Sequence, residues 1–84
     1  MIEASQIRAA RSLLGWSQND LVERTKLSLT TVRRMEDTEI GPGRSSAENV
    51  NVVQRTLEAA GVMFIPENGG GAGVRLAKPR SEGV

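Results

Sequence analysis

The stretch SQNDLVERTKLSLTTVRRME, residues 17–36, decides the expected fold, because it predicts two short helices joined by a tight turn. Ser17, with Asp20 three residues later, is a variant of the capping box that begins many helices. Ser28 is a second favourable N-cap. Only a few residues, near 25–27, separate the two helices, so the helices are expected to cross steeply, as in a helix-turn-helix.

The second of these helices is predicted to be amphipathic. Val32 and Met35 share one face. The other faces carry hydroxyl and guanidinium side chains, namely Thr30, Thr31, Arg33 and Arg34. Such groups suit phosphate oxygens and guanine edges. The pattern therefore predicts that the exposed face of this helix binds nucleic acid.

A wider set of residues extends this pattern: Arg11, Gly15-Trp16-Ser17-Gln18, Leu21-Val22, Leu27-Ser28, Val32 and Arg34-Met35-Glu36. With these residues, roughly positions 5 to 60 resemble the Cro- and repressor-type helix-turn-helix family, often called the XRE family. The resemblance implies a mainly α, lambda-repressor-like four-helix domain. It also implies a structural ion pair between Arg11 and Glu36.

Two positions depart from the family pattern. Val22 stands where a small residue, usually alanine, is common, and Lys26 stands where a glycine is common in the turn. If Lys26 has to adopt a left-handed backbone conformation, the strain costs on the order of 1 kcal/mol. Both departures concern the geometry of the turn.

The resemblance implies a sequence-specific regulator of transcription, a repressor, that binds an inverted-repeat operator in double-stranded DNA as a homodimer. The first residues of its second helix would enter the major groove. Base edges would face Leu29, Thr30 and Arg34, whereas phosphates or flanking bases would face Ser28, Thr31 and Arg33.

Three of the assigned residues have a second interpretation or role. Gln18 would bind a phosphate or reach a base edge from the start of its helix. Leu29 either belongs to the core or points outward towards a thymine methyl group. Arg44, in the glycine-rich loop at 37–46, either contacts a phosphate or is simply solvated. Ile40, in the same loop, is expected to pack into the core.

The remaining helices are predicted from apolar spacing. A first helix is expected at about Ser5–Leu14, ended by Gly15. A fourth helix is expected to begin near Ser45 or Ser46, with Ser45 and Glu48 forming a capping box. Its core-facing stripe would be Val50, Val53, Leu57 and Ala60, and Gly61 would end it.

After the predicted helical domain at 1–61, the spacing of the apolar residues changes from the helical period. Two apolar runs flank the connection ENGGGAG, which predicts a β-hairpin over residues 62–78. No helix follows the glycines, so a phosphate-binding loop is not expected.

A lone hairpin is marginally stable, and pairing with a second chain would protect its edge. The residues expected to support dimerisation are Met63, Phe64, Ile65, Val74 and Leu76. Residues 79–84 are expected to form a flexible tail.

Composition excludes several classes of function. The 84 residues contain neither cysteine nor histidine, which argues against disulfides, a metal site, a cofactor or a catalytic centre. No apolar signal-peptide core or membrane-length run appears, so a cytoplasmic protein is expected.

Charge is distributed unevenly along the chain. Residues 1–36 hold six basic and four acidic side chains, whereas residues 37–61 hold two and four. The positive excess thus lies with the predicted DNA-binding half.

The alternative to a DNA-binding regulator is a protein-interaction module of the same fold, an antitoxin or an anti-activator. The short hairpin and tail offer little chain for wrapping a toxin.

Overall fold

Four α-helices and a two-stranded antiparallel hairpin make up the computed structural model, which describes residues 1–77. The helices are α1 (Ala4–Leu14), α2 (Gln18–Thr25), α3 (Leu29–Glu36) and α4 (Ala47–Ala59), and a short 3-10 helix spans Pro42–Arg44. The strands are β1 (Val62–Ile65) and β2 (Gly73–Leu76). The prediction of a mainly helical domain with a C-terminal hairpin is confirmed. Lys78 and the expected tail at 79–84 lie outside the described residues.

Serine caps begin α2 and α3 where they were predicted. The hydroxyl oxygen of Ser17 accepts a hydrogen bond from the Asp20 N–H at 3.0 Å, and the Asp20 carboxylate accepts one from the Ser17 N–H at 2.8 Å. That hydrogen bond from the Ser17 backbone is the main cause of a lowered Asp20 pKa. The Ser28 hydroxyl oxygen accepts from the Thr31 N–H at 3.1 Å.

The starts of α1 and α4 differ from prediction by about one residue. Helix α1 begins at Ala4, because Glu3 and Gln6 form a capping box with each other's backbone N–H groups. Helix α4 is capped by Ser46, whose hydroxyl oxygen accepts from the Asn49 N–H at 3.1 Å. The predicted Ser45 cap is wrong, because the Ser45 N–H donates to the Pro42 carbonyl at 2.9 Å and so closes the 3-10 helix.

One hydrophobic core joins all four helices to β1. Its largest fully buried side chains come from every helix: Ile7, Leu21, Val32, Met35, Val53 and Leu57. Trp16 packs against this core and is half-buried, with the Arg24 guanidinium 4.2 Å above its ring. Two expectations about the core are wrong. Ala60 is exposed because α4 ends at Ala59, and Ile40 is 39% exposed in the loop after α3.

The hairpin packs against α1 and α4, and one buried polar side chain joins it to α1. In the register of the two strands, Val62 pairs with Leu76 and Phe64 with Val74. The Gln6 amide donates to the carbonyls of Ile65 at 3.2 Å and Gly73 at 2.9 Å. Gln6 is only 4% exposed, so these bonds satisfy a buried donor that would otherwise be costly.

The turn between α2 and α3 contains a left-handed lysine. Lys26 ends α2 with φ 63° and is the one non-glycine residue with positive φ within residues 1–77. Its N–H donates to the Val22 carbonyl at 2.9 Å, which completes the last turn of the helix. The left-handed conformation anticipated for this position is therefore present. Across residues 1–77, no helix has the length and apolar character needed to cross a bilayer.

Candidate nucleic-acid interface

The solvent-facing side of α3 carries the polar side chains assigned to DNA. Ser28, Thr30, Arg33 and Arg34 are exposed, and we call these four residues the α3 face. Leu29 and Thr31 are half-buried beside them. The Ser28 hydroxyl donates to the Thr31 hydroxyl oxygen at 2.9 Å, so the start of α3 is held by its own side chains. Opposite the α3 face, Val32 and Met35 anchor the helix in the core.

Three guanidinium groups at this surface have no partner in the part of the chain that the structure describes. Within residues 1–77, those of Arg33, Arg34 and Arg44 make no hydrogen bond or ion pair. Two other arginines behave differently, because Arg8 and Arg11 are both bonded to Glu36. These three guanidinium groups give α3 and the loop that follows it positive charge that is available to a ligand.

An open cleft of roughly 560 Å³ separates α3 from the start of α4. We call it the α3–α4 cleft, and its lining residues are Thr31, Arg34, Ile40, Arg44, Ser45 and Asn49. The cleft brings together three residues assigned to DNA, whereas Gln18, Ser28, Leu29, Thr30 and Arg33 do not line it. Ser45, Asn49 and Ile40 were not assigned. The sequence did contain a signal that could have identified Ser45 and Asn49 as site residues. Both are polar residues that lie close after Arg44, around the first turn of α4.

The end of α3 is fixed by the carboxylate of Glu36. The Arg11 Nε atom lies 2.8 Å from Glu36 Oε2, and Arg11 Nη2 lies 2.9 Å from Glu36 Oε1. Arg11 Nη1 also donates to the Trp16 carbonyl at 2.9 Å. Arg8 adds a hydrogen bond to the backbone carbonyl of Glu36. These bonds connect α1 to Trp16, which lies just before α2, and to Glu36, which is the last residue of α3.

The electrostatics of this ion pair follow from its burial. Glu36 is 4% exposed, and its carboxylate is compensated mainly by the Arg11 guanidinium. The side-chain hydrogen bond to Glu36 raises the pKa of Arg11 above its ordinary value, although desolvation opposes the rise. Arg11 is therefore held in the charged form in which arginine is normally found.

Gln18 is directed towards Glu36 rather than fully outward. Its amide nitrogen donates to Glu36 Oε1 at 3.1 Å, and the side chain is half-buried. One of the two amide N–H groups is thereby used, which leaves the other as a donor. Contact between Gln18 and a phosphate remains a prediction, and such a contact would come from a side chain already oriented by the ion pair.

The residues assigned to dimerisation divide into two groups. Phe64 and Val74 pack against the core of their own chain. Met63 is 40% exposed and lies opposite Arg75 in the register of the strands. Ile65 and Leu76 are half-buried. Among these five residues, Met63 is the exposed one, and their contact with a second chain stays a prediction.

Within residues 1–77, no group of three or more acidic side chains gathers in a metal-binding arrangement. No protein-family model, no curated protein and no solved structure matches this chain.

Proposed function

We propose that the protein is a sequence-specific, double-stranded-DNA-binding regulator of transcription, a repressor with a lambda-repressor-like helix-turn-helix domain. One observation carries the proposal: at the surface of α3 and its following loop, the guanidinium groups of Arg33, Arg34 and Arg44 have no partner among residues 1–77. Polyanionic DNA is the partner whose chemistry matches this arrangement.

The connection between α2 and α3 supports the helix-turn-helix interpretation. Three residues, Lys26, Leu27 and Ser28, separate two helices of eight residues each. Leu27 packs against the core, so the turn is tied to the body of the domain. A short second helix, buried along one side and polar along the other, suits insertion into a major groove.

In this proposal, α3 reads the sequence and its neighbours fix its position. Arg34 forms a bidentate pair with guanine, while Thr30 and Leu29 contact a neighbouring base. Ser28, Thr31 and Arg33 contact phosphates or flanking bases, and Gln18 and Arg44 contact phosphates. The buried Glu36 network holds α3 at a constant angle, which lowers the entropy lost on binding.

Two copies acting together complete the proposed mode of binding. A homodimer formed through the hairpin would present two α3 helices related by a two-fold axis. Its operator would then be an inverted repeat with half-sites about one helical turn apart. We propose that the protein acts in the cytoplasm, where its operator is accessible.

The test is a selection on random duplex DNA at one fixed salt concentration, because charge contacts make every affinity salt-dependent. We expect enrichment of an inverted repeat. Arg44→Gln should weaken binding of the enriched duplex several-fold. Arg55→Gln removes another exposed arginine, from α4, that has no partner among the described residues, and it should not weaken binding. If no duplex is enriched, the proposal fails, and the protein-interaction module becomes the better account of the α3 face.

A further inference from the structure

Ile40 is the apolar residue among those that line the α3–α4 cleft. It is 39% exposed, although its apolar side chain predicts packing into the core. The backbone N–H groups of Ile40 and Gly41 donate to the Asp37 carbonyl at 3.2 and 2.8 Å. The Glu39 N–H donates to the Asp37 carboxylate at 2.7 Å. Three hydrogen bonds therefore hold the turn that presents the isoleucine to solvent.

The other lining residues of the cleft are polar or charged. Arg34 and Arg44 contribute guanidinium groups that are unpaired in the described part of the chain, and Ser45 and Asn49 contribute a hydroxyl and an amide. An occupant that matches this lining needs negative charge and an apolar surface close together. A DNA strand has both, because charged phosphates alternate with deoxyribose rings and thymine bases carry a methyl group. The charge of the cleft favours this occupant over an apolar peptide.

We propose that Ile40 is a further DNA-contacting residue, which makes apolar contact with the strand whose phosphates lie against Arg44. This inference rests on the proposed function and adds a residue that the helix-turn-helix pattern did not supply. The turn at Asp37 is already ordered, so the contact requires little loss of conformational entropy. Two sources offer the same apolar chemistry, a thymine C5-methyl group and the face of a deoxyribose ring.

The experiment compares Ile40→Val with Ile40→Thr on the duplex enriched by selection. Valine and threonine have nearly the same shape, but threonine replaces a methyl group with a hydroxyl. Because Ile40 is exposed and absent from the core, both variants should unfold at nearly the wild-type denaturant concentration. We expect Ile40→Val to bind within about twofold of wild type and Ile40→Thr to bind about 3- to 10-fold more weakly than Ile40→Val.

Duplexes with uracil in place of single thymines identify the source of the contact. If one such substitution weakens wild type and removes the difference between the two variants, the contact is with that thymine methyl group. If the difference persists on every duplex, the contact is with the sugar. Equal binding by the two variants, on a duplex that wild type binds specifically, would overturn this inference and leave the proposed function intact. Failure of the selection itself would overturn both.

Discussion

Arg11 and Glu36 form two parallel hydrogen bonds, at 2.8 and 2.9 Å, that join the last turn of α1 to the last residue of α3. The arginine side chain is 20% exposed and the glutamate 3% exposed. Bidentate pairs of this kind are strong and geometrically specific. Since Gln18 and the backbone carbonyl of Trp16 bond to the same pair, one interaction fixes α1, α2 and α3 relative to each other.

Arg11→Ala should therefore destabilise the protein by roughly 3–5 kcal/mol, because it leaves a buried carboxylate without its cation. Urea unfolding near neutral pH measures this change. The double variant Arg11→Met with Glu36→Leu is the control, and it should regain most of the lost stability because no buried charge is left. An Arg11→Ala protein as stable as wild type would show that the pair contributes nothing.

Arg34 and Thr31 should affect DNA binding in different ways. Arg34→Ala should lose roughly 1–3 kcal/mol of discrimination at one base pair per half-site, because arginine pairs with guanine in a bidentate manner. Thr31→Ala should weaken operator and random DNA by similar factors, because its predicted role is contact with the backbone. Equilibrium binding to both duplexes at one salt concentration measures the two effects. An Arg34→Ala protein with unchanged affinity and base preference would mean that α3 is not the reading helix.

Lys26→Gly should stabilise the protein by about 0.5–1 kcal/mol. The left-handed conformation at φ 63° strains a lysine but not a glycine, and this gain exceeds the entropy that glycine adds to the unfolded chain. Lys26→Ala is the matched control, since it removes the same side-chain charge but keeps the Cβ atom that causes the strain. Thermal and urea unfolding should separate the two variants, and equal stabilities would argue against strain at this turn.

Met63→Glu should convert a dimer into a monomer. The wild-type protein is expected to sediment as a dimer at tens of micromolar, and a charge placed at a two-fold interface would face its own copy. Ile40→Glu is the control, because Ile40 has nearly the same exposure, 39% against 40%, but lies in the loop after α3. Sedimentation velocity measures the state of each protein. A monomeric wild type at that concentration, or a dimeric Met63→Glu, would contradict dimerisation through the hairpin.

Local chemistry explains which parts of the fold could be predicted. The caps at Ser17 and Ser28 depend on residues within one turn, so sequence alone identifies them. The choice between Ser45 and Ser46 as the cap of α4 could not be made locally, because it depends on where the preceding 3-10 helix closes, and that helix uses Ser45. The two partners of Gln6 lie 59 and 67 residues away, and no local pattern reveals such a contact.

In the candidate site, too, local patterns could be predicted from the sequence but the packing of distant segments could not. The polar residues of the α3 face could be assigned because helical periodicity separates them from Val32 and Met35. The α3–α4 cleft could not be predicted from the sequence, because its shape depends on the path of the loop at 37–46. Apolar character alone suggested a buried Ile40, but the turn at Asp37 directs that residue to solvent.

Helix α1 contacts the hairpin through Gln6 and the end of α3 through Arg8 and Arg11. It therefore acts as a short spacer between the surface expected to join two copies and the helix expected to read DNA, since only about 3–8 Å of helix axis separates Gln6 from Arg8 and Arg11. In a pair joined at the hairpins, the distance between the two reading helices would be set by this rigid rod rather than by a flexible linker. Such a protein would tolerate little variation in half-site separation, since one added base pair also rotates the second half-site by about 35° around the duplex.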